Sequence, residues 1–166
     1  MKATLLLACA LCAMGVWFVG TLEQRQASVS AKAPALENQT YSSVGRKHVV
    51  PRHRDGHFYL NTSVEGRPIS FMVDSGASHV MLSASDAQRL GRMVRKRDLV
   101  HEFHTANGVN KAAKITLAQV RIGGRDFANV DAYIIPEGLG VSLMGQSLLS
   151  RFAAVEMRQD QLELRW

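Results

Sequence analysis

From His57 onward the chain alternates between apolar and polar positions. Phe58, Leu60, Thr62 and Val64 share one face of an extended run, and Ile69, Phe71 and Val73 share one face of the next. A period of two marks strands half-buried against a core. Glu65-Gly66 supplies a tight turn between the runs, so the pair makes a β-hairpin whose second strand delivers Asp74. Val80 to Leu82 predicts a short strand, and Ser83-Ala84-Ser85-Asp86 has the spacing of a helix cap, with Gly91 as the stop after Leu90. Asn107-Gly108, within Asp98 to Lys114, is the strongest hairpin signal in the chain. Ile115 to Ile122 alternates, Gly123-Gly124 turns, and Phe127 to Ile135 forms another strand ending at Pro136. Val141 to Gly145 is apolar, Gln146 to Phe152 suits one or two helical turns, and Ala154–Met157 with Leu162–Trp166 closes a hairpin around Gln159-Asp160. Short strands, one or two short helices and frequent glycine turns predict an all-β, barrel-like domain over residues 57–166.

Ahead of that domain the pattern changes. Lys2 precedes an uncharged apolar run from Thr4 to Gly20. Residues 1–20 read as a signal anchor in preference to a cleaved signal peptide, because small residues suited to cleavage (Ser28, Ser30, Ala33, Ala35) lie well past the run. Residues 21–56, rich in Gln, Ser, Ala and charge, predict a flexible tether. His53 and His57 have the spacing of metal ligands on a helix, but Pro51 and Asp55-Gly56 argue against a helix, so no metal is assigned.

Charge adds little. The formal excess of +6 lies largely in two clusters, Arg46–Arg54 and Arg92–Arg97, with no aromatic or motif support for nucleic-acid binding. They read as solvated surface and tether. Both cysteines, Cys9 and Cys12, lie in the apolar run, so no disulfide staples the domain.

The candidate chemistry sits at Ile69 to Leu82, ISFMVDSGASHVML. A carboxylate at the tip of a buried strand must be paired or hydrogen-bonded, or it takes up a proton. Ser75 and Ser78 offer hydroxyls around it, and Gly76 lets backbone or substrate approach without a Cβ in the way. The motif resembles the active-site signature of aspartic proteases, and a single copy in a short chain resembles the retropepsin-like branch (clan AA), in particular its membrane-anchored bacterial members. Leu143-Met144-Gly145 is similar to the hydrophobic-hydrophobic-Gly element that follows the flap in that family. Gly76-Ala77-Ser78-His79-Val80 begins like a serine-hydrolase elbow but lacks its last glycine and its strand–elbow–helix setting.

The resemblance implies a retropepsin-like acid-protease half-barrel with Asp74 as the catalytic residue. Ser75 would bond across a dimer axis, Gly76 would offer its N–H near the carboxylate, and Ser78 would support the outer oxygen, with Ala77 completing the loop. Leu143 and Met144 would support that loop from below, and Gly145 would allow close chain crossing. The flap tip would be Thr105-Ala106-Asn107-Gly108-Val109, closing over an extended polypeptide substrate. Acid–base hydrolysis by carboxyl groups needs two of them sharing one proton. Asp55, Asp86, Asp98, Asp126, Asp131 and Asp160 lack a comparable apolar frame, so the second Asp74 is expected from a homodimer mate. No cofactor, metal or nucleic acid is expected. The expected location is the bacterial inner membrane, single-pass, with the domain in the periplasm.

Overall fold

A computed structural model describes residues 42–44, 46–105 and 108–166. Eleven strands form two sheets among these residues: β1 (Ser42–Val44), β2 (Lys47–Pro51), β3 (Tyr59–Val64), β4 (Arg67–Val73), β5 (Val80–Ser83), β6 (His101–Thr105), β7 (Gly108–Ile122), β8 (Arg125–Ile135), β9 (Ser142–Met144), β10 (Ala154–Met157) and β11 (Gln161–Arg165). Two short helices, α1 (Ala84–Arg89) and α2 (Gln146–Leu149), and a 3-10 turn at Lys96–Asp98 join them. The all-β, barrel-like domain expected from the alternation is the fold observed.

The larger sheet runs β3-β4-β9-β5-β8-β7-β6, and β3 also meets β7 through Ser63–Arg121 and Val64–Val120, which closes a barrel. Its core is apolar, with Leu60, Phe71, Leu82, Leu117, Ile122 and Met144 fully buried. The predicted first hairpin is β3–β4, turned by Glu65 at φ +49° and Gly66 at φ +81°. Gly66 takes that backbone at no steric cost, whereas Glu65 is held there by its contacts. Its N–H bonds Gln119 O, and its carboxylate accepts from Ala118 N and from Arg92. Ala118 N is available because Asn129, at φ +49°, drops out of the β7–β8 ladder opposite it.

Helix α1 begins and ends where the sequence predicts. Ser83 is its N-cap, accepting from Asp86 N, and Gly91 follows Leu90 at φ +72°. The long β7 departs from simple alternation, because Ala112 and Ala113 are both buried. Ala113 lies in the β7–β8 ladder of the barrel, while Ala112 belongs to a second apolar cluster with Met81, Tyr133 and Ile135.

The smaller sheet corrects the expected tether. Residues 42–44 and 47–51 are strands, and β2 pairs antiparallel with β11 (Val50 with Leu162, His48 with Leu164) in the order β1-β2-β11-β10. Folded structure therefore begins well before residue 57. His48 and Val50 alone face inward, too short a run to register as period two, and one of them is a histidine amid cations. Lys47 bonds the nearly buried Glu163 at 3.0 Å.

The loop between β2 and β3 is organised by Asp55. His53 and His57 both turn Nδ1 to its Oδ1, at 3.1 and 3.2 Å, and the Tyr59 hydroxyl donates to Oδ2 at 2.8 Å. Burial alone would raise the Asp55 carboxyl, but these bonds and the His57 N–H hold it well below the usual carboxylate range. Burial and the neighbouring carboxylate push the Tyr59 phenol up to about 12. The two histidines thus converge on a carboxylate. Among the described residues no helix is long and apolar enough to cross a membrane, and the Thr4–Gly20 run lies outside them.

Candidate active site

Strand order places Asp74. β4 and β5 are consecutive in sequence, yet β9 is inserted between them, parallel to β4 and antiparallel to β5. Met72 pairs with Leu143 and Val73 with Met144, so both strands run out at the same end of the sheet. The loop of residues 74–79 therefore meets Gly145 and the start of α2.

Every turn of that loop is held by backbone. Asp74 N donates to Met144 O at 3.1 Å, and Ala77 N to Asp74 O at 3.3 Å. Gln146 N bonds Ala77 O at 2.8 Å, and Ser147 N bonds Ser78 O at 3.0 Å. Two side chains complete the brace: Gln146 Nε2 donates to Ser75 O, and Ser147 Oγ accepts from Val80 N. Gly145 makes the crossing possible, since a Cβ there would lie 2.3 Å from His79 O and 2.5 Å from Ala77 O. Gly145 is thus the point of closest chain crossing, and Met144 meets the loop through its main-chain carbonyl. Gln146 and Ser147 do as much of the bracing, although the sequence marks them only as the start of a helical turn. Their only signal is position, directly after Leu-Met-Gly.

Asp74 is half-buried just past the end of β4. Oδ1 accepts from Gly76 N at 2.9 Å, as expected of that glycine. Among the described residues Oδ2 has no partner. Ser78 departs from its expected role: it is exposed, and its hydroxyl makes no bond to Asp74, because its main chain is turned toward Ser147. Ser75 is exposed and Ala77 buried.

Behind the loop lies a buried polar group that the alternation did not reveal. Asp86, expected to lack an apolar frame, is 6% exposed. Ser142 Oγ donates to its Oδ2 at 2.6 Å, Arg89 reaches its Oδ1 at 3.1 Å, and Ser83 N bonds Ser142 Oγ at 3.0 Å. This ties α1, β5 and β9 together below the active loop. Asp86 is fully engaged there and is no second catalytic carboxylate for Asp74.

At His79, the far end of the loop, lies an apolar and aromatic cluster. Phe103, Leu139 and the half-buried Leu143 pack on Met81, Tyr133 and Ile135. The Tyr133 ring meets Phe103 at 4.8 Å, His79 at 4.9 Å and His101 at 5.2 Å, all edge to face. Strands β6 and β7 form the hairpin predicted for the flap, with Thr105 opposite Gly108. Ala106 and Asn107 lie outside the described residues; Gly108 is at φ +111° and Val109 is 55% exposed.

The family model described as "gag-polyprotein putative aspartyl protease" matches residues 60–151, which span both the Asp74 loop and the Gly145 crossing. A crystal structure of a retropepsin-like aspartic protease from Rickettsia conorii is 42% identical, with a TM-score of 0.68 over 76% of this chain and 96% of that one. This chain belongs to the retropepsin-like aspartic protease family. An uncharacterised protein of Rickettsia prowazekii is 42% identical over 83% of this chain and 58% of its own length. An uncharacterised Sinorhizobium protein from the cobV 5' region is 36% identical over 74% of this chain and 54% of its own. The chain thus spans little more than half the length of these curated relatives. Within the retropepsin-like frame, the inserted β9 and the glycine crossing are what bring a single Asp-Ser-Gly to the end of the barrel.

Proposed function

We propose that this chain is an aspartic endopeptidase, active as a homodimer in which Asp74 faces Asp74 of the partner subunit. The observation that carries this is how the carboxylate is held: Asp74 stands partly exposed just past β4, with Oδ1 fixed by Gly76 N–H, in a loop braced by the Gly145 crossing. Two aspartates in contact cannot both ionise, so they hold one proton between them. The ionised member takes a proton from water as it attacks the peptide carbon. The protonated member donates to the carbonyl oxygen, giving a gem-diol. The first aspartate then passes its proton to the amide nitrogen as the C–N bond breaks, and the second takes a hydroxyl proton from the gem-diol, which restores the singly protonated pair. The substrate is an extended polypeptide lying between the flap and the floor of Phe103, Tyr133, Leu139 and Leu143, with apolar side chains next to the cut. The same reading tethers the domain to the periplasmic face of a bacterial inner membrane through residues 1–20, which protease accessibility in spheroplasts tests.

Asp74→Asn is expected to lower cleavage of a denatured protein between pH 4 and 7 by roughly a thousandfold, within the range of acid–base catalysis. Statine compounds, which mimic the tetrahedral carbon, are expected to inhibit the wild type. Equal proteolysis by both forms, with no statine inhibition, would leave a peptide-binding or dimerisation module of the same fold.

A further inference from the structure

The segment leading into the flap strand carries a surface that peptide hydrolysis does not use. Residues 89–100 hold Arg89, Arg92, Arg95, Lys96 and Arg97 against the single acid Asp98. Within this stretch Met93 is 91% exposed and Val100 73% exposed, the two most exposed large apolar side chains among the described residues. That exposure is not fraying. Arg92 is clamped to Glu65 by two bonds of 2.9 and 3.0 Å, and Val94 packs on the main core, so Met93 projects from a segment pinned on both sides. Asp98 Oδ2 accepts from Arg95 N at 2.9 Å and shapes the 3-10 turn that presents Lys96 and Arg97. Among the described residues, Arg95 and Lys96 form no ion pair.

We infer that residues 92–100 dock on an anionic phospholipid surface, with Met93 and Val100 entering the headgroup–acyl boundary and Arg95, Lys96 and Arg97 meeting the phosphates. Charge complementarity selects the partner, and the apolar residues choose among anionic ones. A membrane accepts cations and aliphatic side chains together. A single nucleic-acid strand would be met by aromatic stacking platforms, and this segment has no aromatic residue. A duplex backbone binds cations but offers no apolar layer for Met93 and Val100. The inference does not rest on the protease reading or on the fate of residues 1–20.

The test is hydrogen exchange on the full chain incubated with vesicles of phosphatidylcholine alone, or with about one third phosphatidylglycerol, so that any attachment through residues 1–20 is the same in both arms. Exchange across 92–100 is expected to slow only on the anionic vesicles and to recover in roughly 1 M salt, where the screening length falls to about 3 Å. Each charge removed should weaken the docking roughly fivefold. Arg95→Glu with Lys96→Glu should therefore abolish the protection, and Met93→Ser with Val100→Ser should reduce it without altering charge. Identical exchange on both vesicle types would overturn the inference. So would protection that appears without lipid and grows with protein concentration, which would assign the surface to a second copy. Equal protection by a polynucleotide at the same salt would assign it to nucleic acid. Unchanged peptide cleavage by the Met93/Val100 variant in solution separates this result from any failure of the protease reading.

Discussion

Gly145 tolerates nothing larger. A methyl group there would meet two carbonyl oxygens of the active loop at 2.3 and 2.5 Å, and both are backbone atoms that cannot swing aside. Gly145→Ala is expected to cost about 2 kcal/mol or more, as overpacking of a rigid site does, and to lower kcat by moving Asp74. Denaturant melts together with cleavage rates check both effects. His48 is a different kind of constraint. It is 4% exposed beneath Gly123, where an added Cβ would stand 2.7 Å from its ring, and burial pushes its pKa below 6.5. The folded state therefore prefers neutral His48. Its share of stability is complete above the unfolded value and is lost as pH falls through the lower folded one. Thermal unfolding of the wild type should shift downward from pH 7 toward pH 5, and His48→Leu should flatten that dependence.

Among the elements, legibility followed locality. The β3–β4 hairpin, the start and stop of α1, the flap hairpin and the β10–β11 hairpin are each specified by residues within a few positions of one another, and each stands where the alternation and turn residues put it. Elements defined by distant partners were silent. β2 owes its existence to β11, and the burial of Asp86 owes its existence to Ser142 on β9. For the site, Asp74, Gly76 and the Leu143-Met144-Gly145 crossing were legible because their motif is short and contiguous. The Gln146–Ser147 brace and the Tyr133 wall are assembled only when β8 and β9 fold beside β5. Ser142→Ala tests the buried group: it strips a hydrogen bond from Asp86 and another from Ser83 N, so a loss of roughly 1–3 kcal/mol is expected. Ser142→Thr, which keeps the hydroxyl, should lose less if there is room for its methyl, and calorimetry of the pair reads the difference.

For the whole molecule, the proposed mechanism makes activity a property of pairs. When wild type is mixed and re-equilibrated with an equal amount of Asp74→Asn, about a quarter of dimers retain two aspartates. Cleavage per wild-type chain should then fall to about half. A strictly linear response, with sedimentation showing one chain at active concentrations, would remove the shared dyad.

The smaller sheet has a consequence for how the protein is made. β2 finds its hydrogen-bonding mate in β11, and the Lys47–Glu163 contact spans 116 positions. During synthesis, the edge of residues 47–51 that meets β11 must wait unpaired, with only β1 on its other side, until residues 161–165 have left the ribosome. Pairings this remote fold slowly and expose sticky surface meanwhile. Truncations that remove residues 161–165 should therefore yield aggregates rather than a trimmed, folded chain.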